Sequence, residues 1–446
     1  MAQVLAGSSQ SIMGRFLCRP YTLLAVLFLI ILAFPSFLRK PQDWECVYVP
    51  AAERLADGDN IFQMDFVYPP INAWLALPFV GLSRLPTRLL WYAINMTALM
   101  VLILGAWRLS GGGRLDGTPR VSGREQVIFW LGLGCGISSC LDAITNQQTD
   151  LIVAALVIMG CLALSRQYDV RAALWFGLAA AIKCTPLLWA GYLAWRKKWA
   201  ASALVVIASV GINVLPDLTH PDESSHLLDW GKRFLMPMAD RKHDFGQWHC
   251  GMGGNQSVAG LCQRWLVYEA VWQEDDLVGV VSEARVTPET LRAVALGTMF
   301  LLLAAGLICT WRIPADTDKP SNLRPETGLQ YGMVLILMVL LSPHSSKPHF
   351  CTLLLPGFCV ARAALHWPNR RLLALLGAAL ACAMISNCDL VGDWLYSWGK
   401  WYGSLAWCSV FLFAGCCWVL LANRTAVSVN VEEGRKLEMD AMQRAA

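Results

Sequence analysis

Twelve apolar runs divide this chain, near 20–38, 87–108, 126–141, 150–165, 172–183, 186–199, 200–215, 291–310, 328–342, 350–365, 372–386 and 404–422. Crossing the ~30 Å hydrocarbon core takes about 20 helical residues. Helix is also the form in which a single segment satisfies its own backbone in lipid. The runs therefore predict an all-α polytopic membrane protein, a bundle of about 12 transmembrane helices. Composition agrees, with 56% hydrophobic and 15% charged residues against roughly 25% charged in soluble domains. Twenty tryptophans fit a chain with many lipid–water boundaries. A net charge of +4 over 446 residues is too small to point to nucleic acid. Most of the sixteen cysteines lie inside apolar runs, Cys135, Cys161 and Cys309 among them, where Cys acts as a small hydrophobe. Cys46, Cys250, Cys262 and Cys388 fall in external segments, and a Cys250–Cys262 bridge is one pairing they allow.

Lys and Arg collect on the cytoplasmic side of membrane proteins. With the N-terminus inside, "WRKKW" (195–199), "PNRR" (368–371) and the Arg-bearing 108–124 loop all fall inside, and acids predominate outside. This orientation makes 1–19 and 423–446 cytoplasmic and 20–422 the membrane domain, with external loops at 39–86 and 216–290. The first run, Tyr21 to Leu38, lacks a small-x-small cleavage site after it and reads as a retained helix.

Two stretches break the pattern. "PPINAWLALPFVGLSRL" (69–85) is apolar but interrupted by Pro78, and parity keeps it outside as a re-entrant or interfacial helix. In "RAALWFGLAAAIKCTPLLWAGYLAWRKKW" (171–199), Lys183 and Pro186 divide the run into halves too short to cross. These halves are expected to meet at an apex carrying Lys183. Irregular backbone at that depth is tolerated where it lines a cavity, and an ionisable group there is a functional candidate.

The polar residues Asp43, Glu45, Tyr48, Tyr68, Asn146, Gln147, Gln148, Asp150, Lys183, Asn255, Gln256, His344, Lys347 and His349 all fall near external helix ends. Transporters place such groups mid-span; one external layer suits an enzyme at the lipid boundary.

The motifs "DWECVYVPAAERLADGDNIF", "VYPPINAWLALPF", "NQQTD", "GLAAAIKCTPLLWAGYLAWRKKW", "GGNQS" and "SPHSSKPH" stand in an order that resembles the polyprenol-phosphate-mannose-dependent α-1,2-mannosyltransferases, a group of the GT-C membrane glycosyltransferases. The resemblance covers roughly 20–365. The chain departs from it twice. The usual Asn-Gly-Gln-x-Asn reads Asn146-Gln147-Gln148-Thr149-Asp150, and the usual Trp and first His of "SPHSSKPH" are Ser346 and Pro348. The resemblance implies a GT-C-like bundle with external active-site loops, in the cytoplasmic membrane and facing the periplasmic side. It also implies transfer of a sugar, most simply mannose, from a polyprenyl-phosphate donor to a glycan or glycolipid hydroxyl.

That chemistry assigns roles. A high-pKa alcohol loses its proton as it attacks the anomeric carbon, so a placed carboxylate serves as general base. The leaving phosphate is already a good anion and asks for fixed positive charge and donors, unlike glycosidases with their two carboxyls. Asp43 is the expected base and Lys183 the phosphate partner. Asn146, Gln148, Gln256, His344, His349 and Tyr48 are expected around the substrate. No metal or cofactor is expected, because the lipid-phosphate sugar is itself a substrate, and the chain is read as a monomer among membrane lipids. Each role has a plainer rival: Asp43 as a helix cap, Lys183 snorkelling to the interface, the amides satisfying buried backbone. Glu45 is the substitute base. His243, His249 and Cys250 have a zinc-like spacing without a completing pair. Other function readings are the same scaffold moving arabinofuranose or another hexose, a lipid-linked sugar flippase, or a scaffold without activity.

Overall fold

The computed structural model describes residues 37–63, 66–112, 123–220, 225–239, 253–273, 276–283, 285–311, 325–367 and 369–422. Nearly all of the first expected span, both termini, and His243, His249 and Cys250 lie outside them.

After a π-turn at Trp44–Tyr48 come α1 (Val49–Asp57), α2 (Ile71–Ala76) and α3 (Arg84–Leu109). Next are α4 (Gly123–Gly134), α5 (Ile137–Thr145), α6 (Asp150–Leu164), α7 (Asp169–Ile182), α8 (Leu188–Trp195) and α9 (Trp199–Asn213). The segment before the next long helix contributes α10 (Val258–Val267) and an antiparallel hairpin, β1 (Tyr268–Gln273) with β2 (Asp276–Val281). This hairpin is an addition to the all-α expectation. There follow α11 (Pro288–Thr310), α12 (Pro325–Leu340), α13 (Leu354–His366), α14 (Arg370–Ile385) and α15 (Cys388–Tyr402). The last is α16 (Ser404–Ala422).

Among the described residues, five helices are long and apolar enough to cross a membrane, or seven if each of two bent pairs is one span. The chain is thus an all-α polytopic membrane protein in its apolar part. The expected twelve runs include several helices too short to cross alone, such as α6 and α12. The bent pairs are α4 with α5, turning 48°, and α14 with α15, turning 93°. Segment 69–85 folds as the six-residue α2 and a 3-10 turn, too short to span, in keeping with an interfacial element.

Small residues allow the helices to approach closely. A Cβ on Gly160 would collide with the Phe176 ring between α6 and α7, and one on Gly132 with Phe358 between α4 and α13. Outside this bundle, residues 44–80 build a second core. Trp44 stacks on Trp91 with ring centroids 3.6 Å apart, and Tyr48, Leu55, Phe66 and Phe79 are buried around them.

The chain breaks where Lys183 and Pro186 predict. The fourteen residues of α7 reach only ~21 Å. Lys183 is extended (φ −143°, ψ 127°), and a 3-10 turn at Thr185–Leu187 leads into α8. Ending a helix inside the protein orphans its last carbonyls. Two buried asparagines satisfy them: Asn72 of α2 donates to the Ile182 carbonyl at 2.9 Å, and Asn213 of α9 donates to that of Ala181 at 3.1 Å. Through Asn72, the second core thereby helps to hold the broken end in place.

Candidate active site

Asp43 immediately precedes the π-turn, a helix irregularity common at functional sites. Its side chain makes no capping bond, so the helix-cap alternative is not realised. The rings of Trp44 and Tyr48 anchor the turn and fix where Asp43 points. Gln148 Nε2 donates to Asp43 Oδ2 at 2.9 Å. Burial lifts the Asp43 carboxyl above its usual range, opposed by the Gln148 hydrogen bond and the Lys183 charge and reinforced by Asp150.

The loop after α5 sends successive side chains to different parts of the site. Asn146 donates to Asp142 at 3.0 Å, and Gln147 to Glu45 at 2.7 Å. Gln147, which stands where the resembled motif has glycine, adopts a left-handed backbone (φ 53°), a conformation costly for a residue with a Cβ. Glu45 also forms a two-pronged ion pair with Arg88. Committed to these partners, it is a poor substitute base.

Asp150 begins α6. Lys183 Nζ donates to Asp150 Oδ2 at 2.7 Å, while His349 Nδ1 stands 3.6 Å from Asp150 Oδ1. Lys183 thus has a buried carboxylate beside it. Asp150 was visible as a polar residue but was not expected to take part. A charge opening an apolar helix was the signal, since it needs a partner at that depth.

Lys183 and His349 border a cavity of about 820 Å³, whose polar lining also includes Tyr68, Gln148 and His344. Asp43 stands just behind the lining, joined to it by Gln148. The remaining expected residues lie further back. Tyr48 is fully buried, its ring stacked 4.6 Å from that of Tyr68. Asn146 is turned to Asp142. Gln256 is buried and donates to the carbonyls of Gly253 and Lys400, both at 2.7 Å, while its N–H bonds the Ser345 carbonyl. Asn255 beside it donates to the Pro343 carbonyl and accepts from Ser345 N. "GGNQS" thus braces the strap that carries His344 and His349. Tyr68 enters the site without having been chosen from the sequence.

A second cavity of about 540 Å³ lies between α8, α11 and α12. Its lining is overwhelmingly apolar, and it shares Leu188 and Leu337 with the first.

The profile of glycosyltransferase family 87 matches residues 66–343. Two curated relatives are each a polyprenol-phosphate-mannose-dependent alpha-(1-2)-phosphatidylinositol pentamannoside mannosyltransferase. The one from Mycolicibacterium smegmatis is 29% identical over 163 residues, 36% of this chain and 37% of the relative. The one from Mycobacterium tuberculosis is 29% identical over 166 residues, 36% of each. The chain thus spans little more than a third of the length of the curated relatives it matches. No solved structure matches it. The family match covers most of the chain, including the cavity walls on α7 and α12 and the Gln148–Asp150 loop, while Asp43, His344 and His349 lie outside the matched range, and this chain belongs to glycosyltransferase family 87.

Proposed function

We propose that the protein moves a sugar, mannose in the leading reading, from a polyprenyl-phosphate donor to a hydroxyl of a glycan or glycolipid, inverting the anomeric centre. The observation that carries this reading is the single cavity on which both halves of the chemistry converge. Gln148 lines it and holds Asp43, while Lys183 lines it from the broken helix. Asp43 takes the acceptor proton as the hydroxyl attacks. Lys183 uses one of its three N–H groups on Asp150, leaving two for the departing phosphate. Gln148, His344 and His349 contact the sugar or its phosphate. Tyr48, Asn146 and Gln256 support the walls, Tyr48 through Tyr68 and Gln256 through the histidine strap. The adjoining apolar cavity favours a donor with a polar head and a hydrocarbon tail.

The same reading keeps 20–422 as one catalytic bundle of about 12 spans, with the loops 39–86 and 216–290 on the external face and 1–19 and 423–446 in the cytoplasm. It needs no cofactor and no second subunit. Membranes carrying the protein, supplied with radiolabelled polyprenyl-phosphate mannose and with the arabinofuranose and glucose counterparts, test it. Label should pass from the mannosyl donor to a lipid or glycan product. Transfer from another donor alone redirects the sugar assignment, and bidirectional movement of intact donor without transfer supports the flippase reading instead.

A further inference from the structure

We propose that Asp150 is a positioning residue that holds Lys183 toward the donor phosphate. The inference rests on the donor assignment above and concerns a residue outside the cavity surface.

Lys183 and His349 both line the 820 Å³ cavity, and Asp150 does not. Its carboxylate sits behind them, 4% exposed, with one oxygen 2.7 Å from the Lys183 ammonium and the other 3.6 Å from His349 Nδ1. His349 is further fixed by Ser346, whose hydroxyl lies 3.0 Å from the same ring nitrogen. The Asp150 backbone is held too, its carbonyl accepting from Cys351 Sγ at 3.7 Å. The carboxylate therefore has a fixed base and one hydrogen-bonded partner, Lys183, that faces the cavity, with His349 close beside it.

Electrostatics require such an arrangement here. Lys183 is 11% exposed, and an isolated ammonium out of water pays a large desolvation penalty. A flexible four-carbon side chain without a partner would turn toward water. Asp150 offsets that penalty and holds the ammonium at the cavity wall beyond the end of α7. The chain departs from the resembled motif at this residue, acid replacing amide, so the pairing is a property of this chain.

A double-mutant cycle on the full-length protein tests the proposal, with donor KM, acceptor KM and affinity for undecaprenyl phosphate as readouts. Asp150→Asn should raise donor KM and weaken lipid-phosphate affinity about tenfold, leaving acceptor KM unchanged. Added to Lys183→Met it should cost less than twofold more, because its effect passes through the ammonium. Asp150→Glu keeps the charge and should keep the thermal midpoint, yet raise donor KM by displacing the ammonium; it decides the matter if the Asn variant does not fold. Additive losses, an unchanged donor KM, or tighter lipid-phosphate binding by Asp150→Asn would overturn the assignment. If the wild type transfers sugar and only the cycle fails, the donor reading stands and the role of Asp150 falls. If the wild type binds no lipid phosphate, both fall together.

Discussion

Gln148 donates to the Asp43 carboxylate at 2.9 Å across 105 residues of sequence, joining the π-turn to the loop between α5 and α6. That bond makes the position of the candidate base depend on the bundle as well as on its own turn.

Asp43→Asn removes the base and keeps the shape and the link to Gln148. General-base contributions are about 10²–10⁴-fold, so kcat should fall within that range while the thermal midpoint in detergent stays near wild type. Equal transfer by both proteins would remove Asp43 from the mechanism.

The pH profile should carry the mark of Asp43. Its carboxyl is raised from the usual 3.8, chiefly by burial, and the Gln148 hydrogen bond opposes the rise. A base works ionised, so kcat/KM falls as pH drops through the raised value, and the acid limb lies above the ordinary carboxylate limb. Gln148→Ala removes a stabiliser of the anion and should move that limb to still higher pH. A limb that moved down would reverse the role given to Gln148.

Gln147 tests stored strain. Gln147→Ala loses the side-chain bonds to Glu45 and keeps the strained left-handed backbone, whereas Gln147→Gly loses the same bonds and relieves the strain. The glycine variant should exceed the alanine variant by roughly 1 kcal/mol in denaturant or thermal unfolding. Identical stabilities would mean that the loop relaxes.

Asn72 closes the broken end of α7. Asn72→Ala and the near-isosteric Asn72→Asp both lack the donor for the Ile182 carbonyl, and each should destabilise by about 1–3 kcal/mol. An Asp variant as stable as wild type would show that shape, and not donation, is what matters there.

The break at Lys183 was legible because an ion and a proline inside an apolar run leave few other outcomes. Its partner was not, since Asp150 lies 33 residues away and only tertiary packing brings the two together. Motif order and topology single out Asp43 and Gln148 in the sequence, but their bond depends on a turn whose π geometry no periodicity reveals. Helix α15 escaped notice because "CDLVGDWLYSWGKWY" mixes aromatics with charges and lacks the apolar run of a span. The β1–β2 hairpin was hidden in a long external segment read only as a loop. Tyr48 and Gln256 have the right chemistry to touch substrate, but burial assigns them to the layer behind it.

Because the Asn72 amide reaches into the helix bundle to close α7, the second core is no detachable module. Chimeras that exchange residues 39–86 for the equivalent stretch of a relative, in search of altered acceptor choice, would open the floor of the site unless the donor amide travels with the graft.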